Sequence, residues 1–475
     1  MIPFLSEEQL AFMAGKVFDL LEKRGVKMEH AQVVDLLAAA GAVVDADGHA
    51  VRFPRDLVER SLAQLPKRFR LAARGVGDGL EIPRSDGTFQ VRTTNGGHGW
   101  IDHESGAYRK ATLKDIADWA KLADGLDEIG FSGYAFPNDA PTETADIHGF
   151  MTLLANSAKH VWIHPYSDES IEYLMELATV AAGGEDALRR DPPVSIIACA
   201  FTPLNFKHMD LEVMRQAATR GMPIHACSLL AAGGTAPITM PGLVILGVAE
   251  ILVQVVVAQA VAPSTPVIAN LQVYALDMRT GRSLQSSVEA MQGAAAAVQL
   301  MKRSFGLPSH TYGPASDSMA IDGQSMIERA LQGLLVGLSD ADILGGAGQL
   351  ETVATLSPVQ LVIDNELVGM VRQLISGLEI DDETVAWDEL MAAEPGSHFL
   401  TTRHTLRHCR DGYDPEIFSR LPRGAWQDQG SPDLVARATE TCRGILARER
   451  PAPLSDEAYG EMAAIVAAAD RHLRQ

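Results

Sequence analysis

Seven polar and aromatic residues fall at alternate positions of short apolar runs, the spacing that turns side chains to one face of a strand. His164 and Tyr166 end the run His160-Val-Trp-Ile-His-Pro-Tyr166, Asn270, Gln272 and Tyr274 alternate within Val267 to Tyr274, and His310 and Tyr312 alternate within Ser309 to Gly313. Any one of them reads equally well as a hydrogen-bonded polar group of the core. As a set meeting at one rim they read as a ligand pocket. Several rings, neutral amides and few acids suit a cation shielded by methyl groups, because an aromatic face attracts a quaternary ammonium by about 0.5–2 kcal/mol per contact.

Metal chemistry has less support. His160 and His164 would lie about 13 Å apart on a strand, too far to share an ion. His404 and His408 have helical metal spacing, but no His-Glu-x-x-His pattern accompanies them and a surface or interface helix accounts for them. No dinucleotide, Walker or nucleophile-elbow motif occurs in a supporting strand-helix context. Gly345-Gly-Ala-Gly348 could approach a phosphate or flat cofactor closely, but alone it is a weak signal. No tightly bound metal is expected.

The elements that must position these residues follow from a repeat. Strand-like runs at Ile129–Phe136, His160–Tyr166, Val194–Phe201, Ile224–Ser228, Val267–Tyr274, Ser309–Gly313 and Ala341–Gly348 alternate with helical patterns, which is the βα repeat of a parallel sheet. Seven units in a row predict an α/β fold, a closed (β/α)8 TIM barrel, over residues 116–400. The eighth strand is expected as a short piece near Leu378 or Phe399. Residues 1–115 read as a separate N-terminal α+β cap: two helices between Ser6 and Ala40, a strand and helix start at Arg52 to Glu59, and a hairpin of Phe89–Thr94 with Gly99–His103 across Asn95-Gly96-Gly97. Residues 401–475 read as a helical C-terminal extension, the helical pattern beginning near Asp381.

Composition excludes several classes. The 475 residues, 47% hydrophobic and 21% charged, describe a globular enzyme. A net charge of −21 without a basic stripe repels phosphate backbones, so no nucleic acid is expected. Cys199, Cys227, Cys409 and Cys442 lack zinc or disulfide spacing and fit reduced thiols in a cytoplasmic protein, and the N-terminus lacks a secretory pattern. The apolar stretch Met240 to Ala262 is interrupted by Glu250, Gln254 and Gln259 and reads as a buried helix, so no membrane is expected.

Leu36 to Asp45, Ala232-Gly-Gly-Thr-Ala-Pro-Ile-Thr239, Asp277-Met-Arg-Thr-Gly281, Ser316-Asp317 with Asp322-Gly-Gln324 and Glu328, Asp364-Asn-Glu366, His398-Phe-Leu400 and His404-Thr405 follow one another in a characteristic order and spacing. In these pieces the chain resembles the trimethylamine methyltransferase (MttB-like) family, corrinoid-dependent enzymes on a TIM barrel. The family's trimethylamine enzymes carry pyrrolysine, with its equivalent near the Gly313–Asp317 turn. Standard residues stand there in this chain, so it is similar to the non-pyrrolysine branch that demethylates quaternary amines such as glycine betaine. The resemblance implies Ser316 and Asp317 as catalytic positions, a methylated amine as substrate, and a corrinoid (cobalamin) supplied by a separate corrinoid protein. A homo-oligomer is expected. For a zwitterionic substrate, backbone amides of the Ala232–Thr235 turn or the His310 imidazole would hold the carboxylate. The alternative is a barrel lyase or hydrolase with Asp317 or Asp322 as general base, with or without a metal.

Overall fold

The computed structural model describes residues 2–46, 50–74, 79–449 and 454–474. Eight parallel strands close into one barrel: β1 (Gln90–Thr93), β2 (Phe131–Ser132), β3 (His160–Ile163), β4 (Val194–Cys199), β5 (Ile224–Ala232), β6 (Val267–Leu276), β7 (Ser309–Tyr312) and β8 (Ile343–Ala347). They neighbour one another in chain order, and β8 pairs with β1 through Ile343↔Gln90 and Leu344↔Val91 to complete the ring. Seven of the strands lie where the repeat predicts them. The eighth does not follow β8: Leu378 is exposed and outside any strand, as is Phe399.

The missing strand is β1, inside the segment set apart as the N-terminal cap, so the barrel draws on residues before position 115. The expected hairpin is overturned with it. Gln90–Thr93 pairs with β2 and β8, whereas Gly99–Ile101 pairs with Tyr108–Lys110 and with Thr355–Leu356. A true hairpin of Phe69–Leu71 with Leu80–Ile82 instead sends Leu71 and Ile82 into an apolar cluster with Phe131, Trp162, Ile268 and Ile343, inside the barrel.

Helices follow the strands with one apolar face inward. α1 (Leu113–Asp124) starts at a Thr112/Asp115 capping box, and α2 (Ala145–Asn156), α3 (Ile171–Ala182) and α4 (His208–Thr219) continue the outer layer. α5 (Met240–Val261) is the one helix among the described residues that is long and apolar enough to cross a membrane. It is buried against β5 and β6, and its polar residues are all engaged. Gln254 clasps both backbone groups of Cys227 on β5 at 3.1 and 2.8 Å, and Glu250 accepts from Leu204 N and Ser228 Oγ. α6 (Val288–Gln299), α7 (Gly323–Leu338) and α8 (Pro358–Ile375) complete the ring.

Towards the C-terminus, helices Leu434–Leu446 and Asp456–Leu473 pack on the barrel's helices. Between them and α8 runs an arm whose short helices, Asp382–Val385, Trp387–Ala392, Arg403–His408 and Arg423–Asp428, contain no buried residue. His408 there contacts Asp411 and Glu383.

Candidate functional site

Inward side chains of the barrel strands meet a cavity of about 290 Å³ at the ends of the strands, the end where parallel α/β barrels bind ligands. Its walls include Trp162, Ile197, Cys199, Cys227, Leu229, Asn270, Gln272, Tyr274 and Tyr312, with His164 and Tyr166 from the segment after β3 and Asn95, Gly96 and Val353 from loops. Six of the seven residues singled out by strand alternation line it. The seventh, His310, is buried beneath.

Tyr274 and Tyr312 come from adjacent strands, their rings edge to face with centroids 6.0 Å apart and hydroxyls 2.9 Å apart. Tyr166 stands at the rim, 38% exposed, stacked on Phe136. Burial opposes a charge on His164, but Asp210, 3.6 Å away, and Cys199 beside it hold the imidazole up to about 10. Asn270 accepts from Gln272 Nε2, which leaves Asn270 Nδ2 and Gln272 Oε1 buried without a partner, as is Trp162 Nε1.

The residue that strand alternation missed is Arg92 on β1. It is 2% exposed and its guanidinium lies 4.1 Å from the centre of the Trp162 ring and 5.8 Å from that of Tyr312. Nε donates to His310 Nε2 at 2.7 Å and Nη1 donates to Thr93 O at 2.8 Å. Burial lowers its pKa to about 10, so it remains a cation at neutral pH. The glycine run on β8 makes room for it: a Cβ at Gly345 would sit 2.5 Å from Arg92 Nη2. That tightness accounts for Gly345 without a phosphate. Below Arg92, polar contacts continue through His310, His225, Ser195 and His160 to the Ala72 carbonyl, at 3.3, 3.1, 2.9 and 3.0 Å after the first.

Ser316 and Asp317 do not line the cavity. Ser316 Oγ donates to Glu328 at 2.7 Å, and the Asp317 carboxylate accepts from Gln285 N, Ser286 N and Thr352 Oγ1 at 3.0, 2.9 and 2.7 Å. The carbonyls of Ser316 and Ser318 hold the loop after β8, since Thr352 N donates to Ser316 O and Glu351 N to Ser318 O. In that loop Glu351, Thr352 and Val353 all have positive φ, at 56, 54 and 76°, a conformation that is strained for a β-branched residue. The strain places Val353 in the cavity wall. Asp322 caps α7 by accepting from Ser325 N, which leaves it a structural role in place of a base.

Both expected carboxylate donors are otherwise engaged. Gly234 N and Thr235 N donate to Ala231 O within their own turn, and His310 Nε2 is already an acceptor for Arg92. Asp277–Gly281 does not lead into a helix but turns β6 into a short antiparallel partner, Ser283–Leu284. The Asp364-Asn-Glu366 motif is a staple. Asp364 pairs with Arg329 at 2.6 Å, both fully buried, and accepts from Gly348 N; Asn365 accepts from Glu128 N; Glu366 accepts from Glu416 N, Ile417 N and the Tyr413 hydroxyl. Among the described residues no three His, Cys, Asp or Glu gather as a metal group.

The family model described as trimethylamine methyltransferase (MTTB) matches residues 1–473. Trimethylamine methyltransferase MttB of Desulfitobacterium hafniense (strain DSM 10664 / DCB-2) is 29% identical over 464 residues, covering 97% of this chain and 92% of the relative. MttB1 of Methanosarcina acetivorans is 29% identical over 98% of this chain and 95% of its own length. Glycine betaine methyltransferase of Desulfitobacterium hafniense (strain Y51) is 28% identical over 98% of this chain and 96% of its own. Among solved structures, the Methanosarcina barkeri monomethylamine methyltransferase MtmB shares the fold, with a TM-score of 0.52 and 15% identity over 92% of this chain and 91% of that one.

Proposed function

This chain belongs to the trimethylamine methyltransferase family, and from that premise we propose that it moves a methyl group from a quaternary amine to Co(I) of a corrinoid protein. The observation that carries the substrate class is the cavity itself: aromatic rings of Trp162, Tyr166, Tyr274 and Tyr312 surround a space of about 290 Å³, large enough for a small methylated amine. Rings of this kind attract a methyl-shielded cation. The glycine betaine methyltransferase among the relatives supports the same reading.

The chemistry asks little of the protein in the way of proton transfer. The Co(I) lone pair forms a bond to one N-methyl carbon while the C–N bond breaks, and its electron pair stays on nitrogen, which leaves as a neutral tertiary amine. What the site must supply is position and exclusion of water. The corrinoid is the methyl acceptor, brought by its own protein to the open rim beside Tyr166. In this reading Ser316 and Asp317 are positioning residues, which set the Val353 loop.

The lyase or hydrolase alternative loses its bases, because Asp317 and Asp322 are both consumed by backbone amides. A homo-oligomer is part of the proposal. The arm between α8 and the last two helices exposes Leu378, Ile380, Trp387, Met391, Leu400 and Leu406, large apolar side chains that a second copy would cover, and light scattering reads the outcome.

The deciding experiment is a panel of methylated amines incubated with the protein and a Co(I) corrinoid, read by methylation of cobalt. Turnover of a quaternary amine with little from trimethylamine is expected. Robust trimethylamine turnover, or an inactive panel with competent Co(I), overturns the proposal.

A further inference from the structure

Two cations stand in the cavity wall, and they differ in their counterions: His164 has Asp210 at 3.6 Å, whereas no carboxylate pairs with Arg92 among the described residues. Its partners are an imidazole, a backbone carbonyl and the faces of Trp162 and Tyr312, all uncharged. The fully buried Arg329, by contrast, keeps Asp364 at 2.6 Å, and Arg372 keeps Glu128 at 2.6 Å. A buried guanidinium without a carboxylate of its own is strongly unfavourable, and bidentate binding of a carboxylate is the interaction its planar fork is shaped for.

Further buried polar atoms of the cavity wall lack a hydrogen-bond partner: Trp162 Nε1, His164 Nε2, Asn270 Nδ2 and Gln272 Oε1. Three of the four are donors. With Arg92 they make a predominantly donor-lined pocket, the wrong polarity for the nitrogen end of the substrate and the right one for an anionic end.

We propose that Arg92 is the specificity-determining residue of the site, binding, with Trp162 Nε1 and Asn270 Nδ2, a carboxylate tethered to the quaternary nitrogen, so that the chain selects betaines over quaternary amines without an anionic group. The inference rests on the quaternary-amine reading above. With the carboxylate held at Arg92, the methyl-bearing nitrogen is left to the remaining rings and the rim. Arg92 also disfavours a bare cation, since like charges repel strongly where water is excluded.

Titration calorimetry tests this without any methyl transfer. The probes are glycine betaine, choline, which keeps the trimethylammonium but not the carboxylate, and 3,3-dimethylbutyrate, which keeps the carboxylate but replaces nitrogen by carbon. The wild-type protein is expected to bind glycine betaine at least tenfold more tightly than choline and to bind 3,3-dimethylbutyrate measurably. Arg92→Met should abolish both the preference and 3,3-dimethylbutyrate binding while leaving choline binding equal or tighter, and Arg92→Lys should retain part of the preference. In turnover with Co(I) corrinoid, Arg92→Lys should raise KM for glycine betaine at least tenfold with a smaller change in kcat.

Equal binding of betaine and choline by the wild type overturns the inference, as does an Arg92→Met protein that still prefers betaine. If Arg92→Met does not fold, the wild-type ligand pair and Arg92→Lys decide. Efficient methyl transfer from choline would leave the methyltransferase reading standing and remove the role of Arg92. Arg92-dependent binding of both carboxylates with no methyl transfer from any amine would do the reverse.

Discussion

Arg92 Nε donates to His310 Nε2 at 2.7 Å, and this contact fixes the protons on every group beneath it. A guanidinium can only donate, so His310 must carry its proton on Nδ1 and pass it towards His225 Nδ1. His225 is then protonated on Nε2 and donates to Ser195 Oγ, whose hydroxyl donates to His160 Nε2. The chain ends with His160 Nδ1–H on the Ala72 carbonyl, which can only accept. Donor at one end and acceptor at the other leave a single consistent arrangement, in which all three imidazoles are neutral and Arg92 keeps its charge for a ligand.

That arrangement predicts how the protein meets acid. Burial holds His160 down to about 3 and His225 and His310 well below the ordinary value of 6.5. Below about pH 6.5 the unfolded chain therefore binds protons that the folded one refuses, so each histidine removes stability as pH falls, by about 1.4 kcal/mol per pH unit. Asp364, raised by burial to about 6, works in the opposite sense, so the informative comparison is a difference. A His225→Asn protein should lose stability less steeply than wild type between pH 6 and 5 in urea titrations. Imidazole 15N spectra at pH 5 should show all three residues neutral, and a charged signal from any of them would contradict the chain.

Asp317 is expected to act through the Val353 loop and not on the reacting atoms. Asp317→Ala removes the acceptor for Gln285 N, Ser286 N and Thr352 Oγ1 and frees a strained segment to relax. The expected result is a rise in KM of roughly tenfold, the order of one lost charge-assisted hydrogen bond, with kcat changed far less. A kcat loss of several orders with KM intact would instead make Asp317 part of the chemistry.

Tyr274→Ala should weaken binding of the quaternary substrate by roughly tenfold or more, from lost cation–π attraction and lost packing. Tyr274→Phe keeps the ring and removes only the contact with the Tyr312 hydroxyl, so it should retain most of the affinity. Calorimetry on the pair separates ring from hydroxyl; equal losses in both would show that the ring face is not what the ligand meets.

Seven barrel strands were legible because each is an apolar run followed by a helical pattern. β1 was not, since Gln90-Val-Arg-Thr carries polar residues on its inward face and is followed by Asn95-Gly96-Gly97, which has the composition of a hairpin turn. Its position does fit the repeat: α1 lies between it and β2, and that spacing was the available signal for both the strand and Arg92. Alternation located Asn270, Gln272, Tyr274 and Tyr312, because a strand's period is set locally; His164 and Tyr166 line the cavity although β3 ends at Ile163. It could not reveal that Asp317 would be occupied by amides of Gln285 and Ser286, or that the amides of Gly234 and Thr235 would turn back on Ala231, since those contacts depend on loop conformation.

β1 sits at the seam of the ring. Its partners are β2, a short distance on, and β8, whose Ile343 must find Gln90 across most of the barrel's length of chain. Contacts so remote in sequence form late and slowly. A chain still emerging from the ribosome therefore holds Arg92 from early on, and Trp162, His310 and Tyr312 soon after, but lacks the last wall against its guanidinium until Gly345 arrives. Closure of the cylinder and completion of the cavity are one event, and a fragment ending before β8 would have open strand edges and no site at all.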